Sequence, residues 1–250
     1  MSSQLDLIVP LYNEEKNIDS LVEIIADSKL VKEGILGKAL LVNNGSSDRT
    51  QAKVDVAAAH FSWIKPIHLV YNLNYGGGIY AGLCQASAEY LAYIPGDLQV
   101  HIDDLEKIWS ITEQQISEGG GQKLLVKGYR KTRKDPLSMR VVSAVYSKIC
   151  NAILDLGVRD TNGLPKLFHR SLVSLLPAER FKTFVFDVQI LLTARVNDWS
   201  IIEVPVVFHA RREGVSSWSG KRLRTYSHTF RQILKLRGSG NYVPRLANEK

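Results

Sequence analysis

The sequence predicts an α/β domain with a mainly parallel sheet and helices on both faces. Three observations predict it. Short apolar runs of strand length alternate with helical stretches through the first half. Four of those runs end in a cluster of polar residues. The length of 250 residues, with 45% apolar and 23% charged residues, fits one large domain able to bury a core.

The elements follow in order. An apolar run at 5–9 stops at Pro10, and a helix is expected over about 14–27. The run 39–42 repeats the pattern, 43–47 makes a turn, and Asp48 is placed to cap a helix reaching about residue 60. A third strand is read at 66–70, then a Gly-rich turn and a helix at 79–90. A fourth strand, 91–94, ends at Pro95 and Gly96. In such sheets ligands bind beyond the carboxyl ends of the strands. The polar clusters 12–15, 43–48, 72–78 and 97–99 all fall there. Asp103 and Asp104 read as the start of the next helix, where acids complement its dipole. The second half is less regular. It reads as a strand at 124–127, a basic loop at 130–134, a long helix at 136–156, a late strand at 203–208 and a helix at 222–236. No repeat, low-complexity tract or linker is present. One domain over 1–218 is therefore expected, with a basic amphipathic tail, 219–250, that belongs to it or faces a membrane.

Composition narrows the function classes. Cys84 and Cys150 lie in helical stretches without CxxC spacing, which excludes a disulfide framework and a zinc site and predicts two buried free thiols. No signal peptide is visible, and no eighteen apolar residues run together, so the expectation is a cytoplasmic chain that does not itself span a bilayer. The net charge of +7 is uneven. Between Arg211 and Arg245 stand nine Lys or Arg and one acid, a local +8, leaving −1 for the rest. That segment points to phosphate or an acidic membrane surface, or is simply a solvated basic helix. No motif that reads RNA or DNA accompanies it, so nucleic acid is not an expected partner.

The motifs carry a resemblance. Val9-Pro10-Leu11-Tyr12-Asn13-Glu14-Glu15 and Val42-Asn43-Asn44-Gly45-Ser46-Ser47-Asp48-Arg49-Thr50 are similar to the VPxYNE and VDDGSxDxT segments of family-2 inverting glycosyltransferases. Asn72-Leu73-Asn74-Tyr75-Gly76-Gly77-Gly78 resembles that family's glycine-rich segment, where backbone amides approach a diphosphate or sugar. A dinucleotide fingerprint is rejected, since no Gly-rich turn follows the first strand. Pro95-Gly96-Asp97-Leu98-Gln99 stands where the family has DxDxQ, and His209-Ala210-Arg211-Arg212-Glu213-Gly214-Val215-Ser216-Ser217 where it has RxxGxS. The similarity covers about residues 5–218 and is greatest to the polyprenyl- or dolichyl-phosphate sugar synthases.

The resemblance implies a GT-A fold, a single Rossmann-like sheet flanked by helices, and an NDP-sugar donor, UDP- or GDP-linked. It implies donor contacts from Pro10, Tyr12, Asn13, Glu14, Asn43, Asn44, Ser46, Asn72, Gly76, Gly77, Asp97, Arg212 and Ser216. Arg212 would clamp phosphate with a permanently charged guanidinium, and Trp218 would shield the site. Asp97 and Gln99 would hold Mg²⁺ or Mn²⁺. Because Pro95 replaces the first acid, a weak or dispensable metal is an open alternative. Asn43 and Asn44 replace two acids; an amide oxygen can still accept from a base N–H, without charge assistance. Asp160, in Asp160-Thr161-Asn162-Gly163, is the implied acceptor-side carboxylate and would act as base toward a hydroxyl. A phosphate acceptor needs almost none. Asp187 reads equally as structural or acceptor-side, and Glu203 as structural.

Two stretches bear on the acceptor. Leu137, Val141, Val142, Val145, Ile149 and Ile153 share the helix that follows Arg130, Lys131, Arg133 and Lys134. The last helix pairs Leu223, Tyr226, Phe230, Ile233 and Leu234 with Arg222, Arg224, Arg231, Lys235 and Arg237. Both stripes either face the core or lie in a headgroup region as peripheral membrane contacts. Three readings stay open: transfer to a polyprenyl phosphate, transfer to a saccharide hydroxyl, and a non-catalytic nucleotide-binding module.

Overall fold

The computed structural model describes residues 4–134, 136–177, 181–210 and 222–238, with the side chains of 222–228 left aside. Seven strands form one sheet: β1 (Leu5–Leu11), β2 (Leu36–Asn44), β3 (Ile64–Leu69), β4 (Tyr90–Tyr93), β5 (Leu124–Arg133), β6 (Lys166–His169) and β7 (Ser200–Phe208). Their order is β3-β2-β1-β4-β6-β5-β7. β1, β2, β3 and β4 are parallel, β6 runs against both β4 and β5, and β7 is parallel to β5. The flanking helices are α1 (Ile18–Asp27), α2 (Lys29–Lys32), α3 (Thr50–His60), α4 (Asn74–Leu83), α5 (Ile102–Ser117), α6 (Leu137–Leu154), α7 (Ser171–Leu175), α8 (Val185–Val196) and α9 (Arg222–Gly238). β1, β2 and β4 are buried along almost their whole length, which is why their sequences are mostly apolar instead of alternating.

One of the buried carboxylates braces the first strand. Asp6, 1% exposed on β1, accepts from the backbone N–H of Lys38, Ser87 and Ala88, so its burial is compensated by three donors. Those bonds seat the chain between α4 and β4.

Several expectations are corrected. The helix expected at 79–90 runs over Asn74–Leu83 instead, with its glycines inside it. Glycine is a poor helix former, but here close packing wins. A Cβ on Gly82 would stand 2.5 Å from Ile8 Cγ2, so the bare backbone lets α4 lie against the sheet. The basic loop expected at 130–134 is mostly strand, because Arg130 and Arg133 pair with Val206 and Phe208 of a strand far away in sequence. β6, which has no periodicity of its own, is held by neighbours on both sides. Cys84 is exposed at the end of α4, while Cys150 is buried as expected. α5 starts at Ile102 with Asp103 and Asp104 in its first turn.

α6 departs from the expectation that no segment could cross a membrane. By length and composition it is long and apolar enough, and only 17% of it is buried. Its inner side is nevertheless tied to the domain. Ser143 accepts from Arg130, Ser147 accepts from the Thr161 N–H, and Asn151 bonds both ways with Val158. The first part of the apolar stripe faces outward: Leu137 is 70% and Val141 54% exposed, with Val142 and Val145 beside them. Ile149 and Ile153 are half-buried, and Ile153 packs on the core.

Candidate active site

The parallel strands β1, β2, β3 and β4 deliver four loops to one edge. The first two are stitched together. Asn13 N–H donates to Ser46 Oγ at 3.0 Å, and Ser47 N–H returns to Asn13 Oδ1 at 2.8 Å. Asn13 is left-handed (φ 56°), a conformation its short polar side chain tolerates. Glu14 N–H donates to Thr50 Oγ1, and Glu15 N–H to Asp48 Oδ2. Asp48 thus joins two loops as well as receiving Thr50 N–H at the start of α3. Burial works against its charge, but the bonds from Thr50 and Glu15 hold its carboxyl below the ordinary value. Pro10 and the exposed Tyr12 sit at the mouth of this pair of loops.

Asn43 and Asn44 are buried and internally occupied. Asn43 Oδ1 accepts from Ser46 N–H at 3.1 Å, and its Nδ2 faces His68 Nδ1 at 3.5 Å. Asn44 Oδ1 accepts from Leu73 N–H and its Nδ2 donates to the Asn74 carbonyl, each at 2.9 Å. A carboxylate has no N–H to donate, so the Asn44 clamp requires an amide. Asn72, exposed, accepts from Asn74 N–H. The glycines of α4 answer to packing before any ligand. Gly76 N–H donates to the Lys182 carbonyl at 2.7 Å. A Cβ on Gly76 would stand 2.5 Å from Phe186 Cβ, and one on Gly77 would stand 2.6 Å from Leu73 Cβ.

The fourth loop carries Asp97, which is 7% exposed and accepts from Gln99 N–H. Leu98 between them is left-handed (φ 60°), a strained state for a leucine and one found at functional turns. Gln99 Nε2 donates to the His209 carbonyl at 3.1 Å, and His209 N–H donates to the Gln99 carbonyl at 2.9 Å. The loop is thereby tied to the end of β7. Among the described residues no three His, Cys, Asp or Glu groups gather to hold a metal. Asp97 with the Gln99 amide oxygen is an all-oxygen pair that suits Mg²⁺ or Mn²⁺ only if a ligand's phosphates and water complete the shell. Arg212, Ser216 and Trp218 lie outside the described residues.

Asp160, Asp187 and Glu203 are each matched to a cation. Asp160 takes both Nε and Nη2 of Arg130 at 2.7 Å, and Arg130 also reaches Ser143 of α6. Against its burial, Arg130 and Lys127 hold the Asp160 carboxyl far below the usual carboxylate range. Asp187, 1% exposed, receives Lys166 Nζ at 2.6 Å, Tyr93 Oη at 2.5 Å and Asn162 Nδ2 at 3.3 Å. Glu203 receives Lys127 Nζ at 3.0 Å and Arg159 N–H at 2.7 Å. Burial and the neighbouring Lys166 push Lys127 down to about 8.

Residues 6–174 match the model of glycosyl transferase family 2, more than half of the chain. The chain belongs to that family. Among its relatives, a dodecaprenyl-phosphate galacturonate synthase of Rhizobium johnstonii is 28% identical over 242 residues, 94% of this chain and 66% of that protein. A dolichyl-phosphate beta-glucosyltransferase of Trichomonas vaginalis is 26% identical over 80% of this chain and 62% of its own length. The chain therefore spans slightly less than two thirds of these two relatives. The structure of glucosyl-3-phosphoglycerate synthase from Mycobacterium tuberculosis, in complex with Mn²⁺, UDP and glucosyl-3-phosphoglycerate, superposes with a TM-score of 0.69 at 17% identity, covering 96% of this chain and 80% of that one. The family-2 chain thus has the GT-A fold.

Sequence reading of this family-2 chain missed the cations that neutralise Asp160, Asp187 and Glu203. Arg130 was read only as one of the basic residues before α6, Lys166 only as part of the segment that follows Asp160, and Lys127 was not singled out. For Lys127, its place inside the apolar run of β5 is the signal that could have found it, since a buried ammonium requires a buried partner.

Proposed function

We propose that this chain transfers a sugar from a nucleotide-diphosphate donor, with inversion, to a polyprenyl phosphate or a related lipid-linked phosphate. The carrying observation is the pairing of Asp160 with Arg130, since a carboxylate so stabilised in its charged form is a poor base. Asp187 and Glu203 are likewise occupied by Lys166 and Lys127. A saccharide hydroxyl would need a base, whereas a phosphate oxygen arrives already anionic. In the reaction that oxygen bonds to the anomeric carbon as the bond to the nucleotide diphosphate breaks, and the electron pair leaves with the diphosphate.

On this reading the loops around Tyr12, Asn13 and Ser46 receive the base and ribose, and Arg212 and Ser216 close on the phosphates. Asp97 and Gln99 would hold Mg²⁺ or Mn²⁺, which would offset charge on the leaving group. Arg130, fixed by Asp160 and Ser143, meets the acceptor phosphate. Two features support a peripheral membrane position on the cytoplasmic face. The outward stripe of α6 is one, with Phe230 and Leu234 exposed on α9, which packs beside it. The other is the basic set of Lys131, Arg133, Lys134, Arg140 and Lys148 nearby, each such charge adding roughly 1 kcal/mol near an anionic leaflet. The relatives named for dodecaprenyl and dolichyl phosphate support the acceptor class.

Thermal unfolding with UDP and with GDP, each with and without Mn²⁺, tests the donor half. A ligand at about a hundredfold excess over its dissociation constant stabilises by about 2.7 kcal/mol. A metal-enhanced shift with one nucleotide is expected; no shift with either would favour a non-catalytic module. Sugar transfer to undecaprenyl phosphate in detergent, and none to free saccharides, is the expected acceptor result.

A further inference from the structure

One buried polar atom at the centre of the site has no partner. Tyr75, in the first turn of α4, stacks its ring on Phe184 with centroids 4.7 Å apart. The residue is half-buried, while its hydroxyl at the deep end is fully buried and makes no hydrogen bond. The Asp187 carboxylate is near enough to act on it, but the two do not meet in hydrogen-bond geometry, and Lys166, Tyr93 and Asn162 already donate to that group. Asp97 and Arg130 are close enough to act on the same hydroxyl electrostatically. Burial, with Asp187 and Asp97 nearby, pushes the phenol well above its ordinary value, so Oη keeps its proton and acts as a donor.

Buried hydroxyls in native proteins almost always find a partner, and an orphan calls for an explanation. The surroundings supply one. Asp97 marks the donor diphosphate side and Arg130 the acceptor side, and in a displacement the transferred sugar lies between the two. We propose that Tyr75 Oη donates a hydrogen bond to an oxygen of the transferred sugar and thereby helps select the donor. The inference rests on the glycosyltransferase reading above and names a contact within it. A hydroxyl placed to bond a substrate oxygen discriminates strongly, because a donor lacking that oxygen leaves the buried group unpaired.

Tyr75→Phe removes the hydroxyl and keeps the ring on Phe184. Calorimetric titration of wild type and variant would use UDP with UDP-glucose and UDP-galacturonate, and GDP with GDP-mannose. The readout is taken on the sugar nucleotide that wild type binds most tightly. The expected result is unchanged affinity for the free nucleotide and about tenfold weaker binding of the sugar nucleotide, about 1.4 kcal/mol. The variant's kcat/KM for the donor falls by a similar factor and its Tm does not fall. Equal affinities for both proteins overturn the inference. So does an equal loss for nucleotide and sugar nucleotide, or a lowered Tm, since either marks a structural role. Wild type binding no nucleotide at all overturns the glycosyltransferase reading, and this inference with it.

Discussion

Asn44 illustrates how one atom decides a residue's role. Its amide ties the end of β2 to the start of α4 by giving one hydrogen bond and taking another. Asn44→Asp brings back the acid that related motifs carry, yet sets a carboxylate against the Asn74 carbonyl. The expected outcome is a loss of about 1–3 kcal/mol in urea unfolding, with no gain in nucleotide affinity. Asp160 is the second case. Asp160→Asn leaves the Arg130 guanidinium in place without its counter-charge, and a loss of about 3 kcal/mol is expected. Were Asp160 a general base, activity would vanish while the unfolding midpoint stayed put. The acid limb carries the same information. The Asp160 carboxyl lies below its unfolded value, so its stabilisation is complete above about pH 4 and fades as pH falls toward the folded pKa. The variant should lack that part of the acid sensitivity.

Among elements, α4 and α6 were each legible in pattern but not in placement. The glycines of α4 were legible as a motif, but the reason for Gly76 was not, because it lies in Phe186 and Phe181, far along the chain. Gly76→Ala forces a methyl against Phe186 and the Phe181 carbonyl. Destabilisation of about 1–3 kcal/mol is expected by thermal or urea unfolding. For α6 the apolar stripe was plain in the sequence, whereas its direction was not. Arg130, Thr161 and Val158 decide it by bonding to Ser143, Ser147 and Asn151 on the opposite side. The double change Val141→Glu and Val145→Glu is expected to leave stability within about 1 kcal/mol, since both residues are exposed. Co-sedimentation with vesicles containing anionic lipid should fall sharply. Unaltered co-sedimentation would remove α6 from the membrane contact.

At the scale of the whole molecule, buried charge links stability to pH. Lys127, held at about 8, loses its proton in the folded chain before the unfolded one, whose lysines titrate near 10.4. The unfolded state therefore binds more protons in that window, and the stability attributable to Lys127 rises as pH climbs from about 8 to about 10.4. Lys127→Met should abolish that rise in urea titrations across the window. Much of the molecule follows from sequence alone: the parallel half of the sheet, the four loops at one edge, and Asp97 with Gln99 beyond the fourth strand. These depend on local periodicity and on strand ends, which neighbouring residues encode. Tertiary structure alone decided that β6 is a strand, that the Asn43 and Asn44 amides are occupied, and that Asp160 is paired with Arg130. It also left Tyr75 Oη without a partner. Each of these depends on contacts between residues distant in the chain, where burial and pairing outweigh local preference and no sequence pattern records the partner.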